Sequence, residues 1–320
     1  MTEQVPVRGG SGWTIALVVS AVIAVVAIAG TWFVMSQQRT GVPDDTPAPT
    51  EEYGRRLIAQ TSWLMGPDHP EPARRFTGNR LNCASCHLDA GRSPGTLSLL
   101  ETFDKYPRFS GRDGKDADLK ERIDGCMERS MNGRKLARDS VEMDAMVAYL
   151  QSISEQWVAT SLSRRVVVEP PSLRLPSRAA DLVNGKAVYE DRCRVCHGRD
   201  GEGLFASPDT RRGYVLPPLW GDDTFNNGAG MGRVITAARF IKARMPLGRA
   251  DLTDDQAYDV AAFINSRPRP RMSQEVLDRD YPDRATKPVD SPYGPWADPF
   301  PADQHRFGPF GPIEAHYKKK

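Results

Sequence analysis

Two pentapeptides carry the residue types for covalent chemistry: Cys83-Ala84-Ser85-Cys86-His87 and Cys193-Arg194-Val195-Cys196-His197. Both read C-x-x-C-H, the attachment pattern of c-type haem. The spacing has a chemical reason. Two thiols add across the two vinyl groups of a porphyrin, and the adjacent histidine is set beneath the iron as proximal ligand. One such run would also fit a thioredoxin-like or zinc pair. Two copies in an exported chain predict two covalently bound haem c groups, held by Cys83, Cys86, Cys193 and Cys196 with His87 and His197 on the irons.

The fifth cysteine is left over. Cys126 lies in Gly125-Cys126-Met127-Glu128-Arg129-Ser130-Met131-Asn132-Gly133, between the first pentapeptide and a helical stretch beginning near Val141. A thiolate there would donate strongly to an iron and lower its potential, and it would be a nucleophile toward sulfur. The alternative makes Cys126 a small buried hydrophobe, with Met127 or Met131 as ligand. Arg108, Arg112, Arg122, Arg129 and Arg134 surround it in sequence. Clustered guanidiniums would lower the thiol pKa and bind a sulfur oxyanion through paired hydrogen bonds. The competing reading is a solvated face balanced by Asp113, Asp116, Asp118 and Glu128.

Helical periodicity supplies the elements that must position these groups. Met143, Met146, Val147, Leu150 and Ile153 form a stripe over 141–153, with Asp139 and Glu142 spaced as a capping box. Ala257, Val260, Ala261 and Ile264 do the same over 252–266, with Thr253 and Gln256 as the cap pair and Arg267-Pro268 as the stop. Shorter helices are expected at 51–64 and 179–191. No long alternating strand pattern occurs, so the class is all-α with much irregular loop. Each segment repeats helix, C-x-x-C-H, long loop, helix, which resembles the class I cytochrome c fold twice over. Gly54 and Gly185 would let the first and last helices approach closely. In the second segment the distal candidates are Met231 and Met245. Pro246 pushes Met245 into extended conformation, similar to the Met-Pro ligand loop of class I cytochromes, and Met245 is the expected ligand.

The chain divides into an N-terminal membrane anchor or signal peptide (1–36), a linker (37–50), a first cytochrome domain (51–165), a linker (166–178), a second domain (179–267) and a tail (268–320). Ile15 to Val34 is a nearly unbroken apolar run inside a charge-free stretch between Arg8 and Arg39. It is long enough to span about 30 Å of hydrocarbon. Trp13 and Trp32 flank it at headgroup level. A cleavable signal with an A-x-A site at Ala27-Ile28-Ala29 is the rival. Either way the remainder is extracytoplasmic. The tail holds ten prolines and the rings of Tyr293, Trp296, Phe300, Phe307 and Phe310. These point to wrapping on a folded surface. A net charge of +2, from 43 basic and 41 acidic residues, excludes a strongly basic nucleic-acid binder and an acidic disordered chain. Five cysteines in 320 residues are too sparse for a disulfide scaffold.

Three runs carry a closer likeness. Cys83-Ala84-Ser85-Cys86-His87-Leu88 with Gly91-Arg92, then Arg122-Ile123-Asp124-Gly125-Cys126-Met127-Glu128-Arg129-Ser130-Met131-Asn132-Gly133, then Glu142-Met143-Asp144-Ala145-Met146-Val147-Ala148-Tyr149 resemble the thiosulfate dehydrogenase family of dihaem cytochromes c. Phe240 to Gly248 and Lys287 to Pro295 extend the resemblance to the second domain and the tail. It implies coupling of two thiosulfates to tetrathionate with release of two electrons, reversible in some members, to a respiratory acceptor. It also implies His87 and Cys126 as axial ligands of the active-site haem, and Arg112 and Arg122 as substrate-binding residues. The second haem would take His197 and Met245. Some members carry a lysine, exchangeable with the methionine, where this chain has Arg244; arginine is a poor iron ligand. The alternatives are a non-catalytic dihaem electron carrier, a Sox-like enzyme transferring sulfur groups to a carrier protein, and a dihaem peroxidase, disfavoured because both domains offer a distal ligand.

Overall fold

A computed structural model describes residues 48–164 and 172–318. The apolar run Ile15–Val34, most of the 37–50 linker and part of the 166–178 linker lie outside the described residues. Among the described residues no helix is long and apolar enough to cross a membrane.

The first helix, α1 (Glu51–Ala59), starts at Thr50, whose hydroxyl accepts the Tyr53 amide at 3.2 Å. It does not run to residue 64 as its pattern suggests. It breaks at Gln60 and restarts as α2 (Thr61–Met65). Thr61 stands at this break; its hydroxyl donates to the Leu57 carbonyl at 2.7 Å and accepts the Cys83 amide at 3.0 Å. The break thereby ties the helix end to the first C-x-x-C-H.

Next comes a hairpin, β1 (Arg108–Ser110) with β2 (Lys115–Ala117), then α3 (Leu119–Arg129). The sequence patterns above lead to neither element. For α3 the signal was present: Asp118 and Glu121 form a capping box, and Leu119, Ile123 and Met127 follow at i, i+4, i+8. The last helix of the domain, α4, spans Val141–Arg164. Its cap is Ser140, whose hydroxyl accepts the Met143 amide at 3.2 Å, and not Asp139. It outruns the expected end at Ile153 because no glycine or proline interrupts it there. Trp157 packs beyond the stripe.

The second domain repeats the plan. Asp181 caps α5 (Leu182–Val188), so the helix begins three residues later than expected. A π-helical turn (Tyr189–Cys193) leads into α6 (Arg194–His197). A second hairpin, β3 (Leu204–Phe205) with β4 (Tyr214–Leu216), precedes α7 (Val234–Arg244) and α8 (Asp254–Ser266). Thr253 and Gln256 form the capping box of α8 as the sequence suggests. The two hairpins qualify the all-α expectation without changing the helical core.

In both domains the terminal helices cross at a glycine. A Cβ on Gly54 would lie 1.9 Å from the Ala145 carbonyl oxygen of α4, and one on Gly185 would lie 2.2 Å from that of Asp259 on α8. Only glycine lets the backbones meet at these distances. The tail folds as α9 (Gln274–Arg279), α10 (Ala302–Phe307) and α11 (Gly311–Lys318). Phe310 and Ile313 are buried in the second domain's core, and the Ala180 amide donates to the Phe307 carbonyl at 2.8 Å.

Candidate functional site

The first C-x-x-C-H is held by a short turn in which Asn82 and Ser85 cap one another. Cys83, Cys86 and His87 line a cavity of about 790 Å³ that also takes in Arg112, Arg122 and Cys126. His87 Nδ1 lies 2.7 Å from the Leu97 carbonyl oxygen. A carbonyl can only accept, so Nδ1 carries the proton and Nε2 is left with a lone pair for a metal. Burial lowers the His87 pKa and the Arg122 charge lowers it further, against the Leu97 bond. Both effects favour the neutral ring, the form that ligation requires. Burial also pushes the Cys83 and Cys86 thiols up, to about 11 and about 12.

Arg122, Cys126 and Arg129 stand at i, i+4 and i+7 on α3 and so share one helix face. Electrostatic interaction with Cys126 is the main cause that raises the Arg122 pKa, with burial opposing it. Arg122 is open to the cavity yet ringed by protein. Arg112 arrives from the β1–β2 turn. Burial works against its charge, but Tyr281, Tyr293 and Asp280 outweigh it and raise its pKa. Of the other arginines near Cys126 in sequence, Arg108 and Arg129 reach the cavity wall. Arg134 does not: it stacks on Phe76 at 4.0 Å and donates to the carbonyls of Ala73 and Arg75. Met127 and Met131 are buried in the first domain's core and also reach the wall.

The tail wraps onto the folded surface as its rings suggest, and it also completes this site, which no local pattern predicts. Asp280 is 4% exposed. Its carboxylate pairs with Arg112 at 2.9 Å and with Arg129 at 2.8 Å. The Tyr293 hydroxyl donates to it at 2.6 Å.

At the second C-x-x-C-H, His197 Nδ1 donates to the Pro217 carbonyl at 2.8 Å, and burial lowers its pKa. Met245 is the extended residue ending α7 and packs against the second core. Met231 also touches that core but lines the first cavity. Arg244 Nη2 is committed to first-domain backbone: it donates to the carbonyls of Ser93 and Thr96, each at 3.4 Å, and more closely to that of Pro94.

These features fit haem c at both positions. Each holds two free thiols and a neutral imidazole with Nε2 uncommitted.

Comparison with known proteins agrees. Residues 75–157 match the family model "SoxA/TsdA, cytochrome c domain", and residues 180–264 match "Cytochrome C oxidase, cbb3-type, subunit III". The chain is 38% identical to a thiosulfate dehydrogenase of Stutzerimonas stutzeri over 72% of each protein. It is also 38% identical to one of Allochromatium vinosum, over 74% of this chain and 87% of that one. Among solved structures it resembles thiosulfate dehydrogenase (TsdBA) from Marichromatium purpuratum, with a TM-score of 0.61 and 32% identity. That match covers 75% of this chain and about half, 51%, of the other. With two haem c domains and this degree of identity along most of its length, the chain belongs to the thiosulfate dehydrogenase family.

Proposed function

We propose that this chain oxidises thiosulfate to tetrathionate at the first-domain cavity and passes the electrons out through the second domain. The observation that carries the reading is the presence of Cys126, Arg122 and Arg112 on the wall that also bears Cys83, Cys86 and His87. A carrier that only relays electrons has no use for a nucleophilic thiol flanked by guanidiniums.

His87 and Cys126 would hold the first haem, and His197 and Met245 the second. When bound, the haems supply the one-electron acceptors that the reaction needs. Arg112 and Arg122 bind the sulfonate end of thiosulfate through charge-assisted hydrogen bonds and turn its sulfane sulfur toward Cys126. The Cys126 thiolate and that sulfur form an S–S bond with loss of two electrons, giving a cysteinyl thiosulfonate. A second thiosulfate attacks the cysteine-bound sulfane sulfur. The Cys126–S bond breaks, Cys126 leaves as thiolate, and tetrathionate departs with its new central S–S bond. Two thiosulfates thus give one tetrathionate and two electrons.

The proposed organisation keeps a first domain at 51–165, a second at 179–267 and a tail beyond. An N-terminal segment at Ile15–Val34 would either anchor the protein on the periplasmic face of the membrane or direct its release there. The acceptor is a periplasmic cytochrome or a membrane respiratory component. The test is an assay of purified dihaem protein with thiosulfate and, separately, with tetrathionate, following both haems. Thiosulfate should reduce them with tetrathionate as product; no reduction by thiosulfate sinks the reading.

A further inference from the structure

Asp280 stands far from the haem motifs in sequence, and its neighbours give it a definite task. Its carboxylate is buried and accepts three side-chain hydrogen bonds. Arg112 Nη1 and the Tyr293 hydroxyl bind Oδ2, while Arg129 Nη2 binds Oδ1. Arg112 Nη1 also donates to the Gly228 carbonyl at 3.2 Å and to the Tyr293 oxygen at 3.1 Å. The same stretch of tail holds Arg112 by its backbone too: the Tyr281 amide donates to the Arg112 carbonyl at 2.7 Å, and the Tyr281 ring lies 5.2 Å from the guanidinium. One nitrogen of Arg112 is therefore saturated. Its Nε and Nη2 have no protein acceptor among the described residues. They form the edge of a guanidinium that takes an oxyanion bidentately.

We infer that Asp280 is a positioning residue for substrate. It fixes Arg112 by one end and, with Tyr293, leaves the Nε–Nη2 edge set for the sulfonate of thiosulfate, while holding Arg129 on the same wall. The inference rests on the thiosulfate reading above. Its physical basis is preorganisation: a guanidinium locked by a buried carboxylate does not have to be ordered when the anion arrives. A simpler role predicts the opposite sign. If Asp280 only neutralised surplus positive charge, removing its charge would strengthen attraction for a dianion. If it orients Arg112, removing its charge weakens binding.

The experiment uses the full dihaem protein. Asp280→Asn should raise KM for thiosulfate about tenfold or more, with a smaller change in kcat and with haem content and absorbance unchanged. In the Arg112→Gln background the same substitution should change kcat/KM several-fold less than it does in the wild type, because the part of its effect that runs through Arg112 is gone and only the part through Arg129 remains. Wild-type turnover with an unchanged or lowered KM in the Asp280→Asn variant overturns the inference and leaves the thiosulfate reading standing. So does a multiplicative double variant. If Asp280→Asn fails to fold, Tyr293→Phe removes only the hydroxyl shared by Asp280 and Arg112. It should raise KM a few-fold, and no change overturns the inference. If the wild type does not turn over thiosulfate, the functional reading falls on its own. Thiosulfate titrated against haem absorbance still tests the clamp, and equal dissociation constants for wild type and Asp280→Asn, or no binding by either, reject it.

Discussion

His87 and His197 make the same bond, Nδ1 to a backbone carbonyl, at 2.7 Å to Leu97 and 2.8 Å to Pro217. Each sits after a helix that crosses its domain's last helix at a glycine. The resemblance ends on leaving the C-x-x-C-H turns. The first domain opens a cavity of about 790 Å³ walled by arginines and Cys126. In the second, Met245 packs against an apolar core, and the adjacent Arg244 is tied to carbonyls of Ser93, Pro94 and Thr96. One scaffold thus carries a cavity lined by arginines and a free thiol in the first domain and an apolar methionine contact in the second. The difference comes from elements outside the shared helices: the β1–β2 turn, α3 and the tail in one case, the end of α7 in the other.

Cys126→Gly bears hardest on this contrast. It should leave both haems attached, by haem-to-protein ratio, and cut thiosulfate-dependent reduction by at least about 10³-fold. Full retained activity would erase the distinction between the two sites. The shared scaffold is tested by Gly54→Ala and Gly185→Ala. Each forces a Cβ against a backbone carbonyl and should cost about 3 kcal/mol in denaturant unfolding of the holoprotein. A much smaller loss at one position would show that the two crossings are not equivalent.

Arg122→Gln should lower kcat/KM for thiosulfate about 10–100-fold, mostly through KM, because a charged donor beside Cys126 is lost. Met245→Ala should lower the reduction potential of the second haem and leave the first unmoved, read by spectroelectrochemical titration. A shift at the first haem instead would reassign Met245. The smallest effect is expected from Arg244→Ala. It removes the bonds to the 93–96 loop and should cost about 1–2 kcal/mol of stability, with thiosulfate KM unchanged.

The sequence alone was strong where chemistry is local. Two pentapeptides specify their own cofactor, because thioether attachment needs two thiols at fixed spacing with the histidine next to them. The stripes of α4 and α8 and the cap pair of Thr253 and Gln256 are equally local, since helical periodicity and end-capping act within a few residues. Cys126 stood out by count and by its arginine-rich setting. Features that depend on one residue's reach are not legible in the sequence. Ser140 displaced Asp139 as cap because its hydroxyl meets the Met143 amide. The helix broke at Gln60, next to Thr61, whose hydroxyl bonds both the Leu57 carbonyl and the Cys83 amide.

Only the tertiary structure decided which arginines gather at Cys126. Arg122 and Arg129 do so because α3 is a helix and puts them on its face. Arg112 does so because a hairpin turn delivers it, while Arg134, nearer in sequence, is drawn away to Phe76. Asp280 and Tyr293 come from the tail, at separations of 168 and 181 residues from Arg112. No period, spacing or propensity links such positions. A buried carboxylate finds its guanidiniums only when the chain has closed around them, since burial is what makes leaving either charge unpaired so costly.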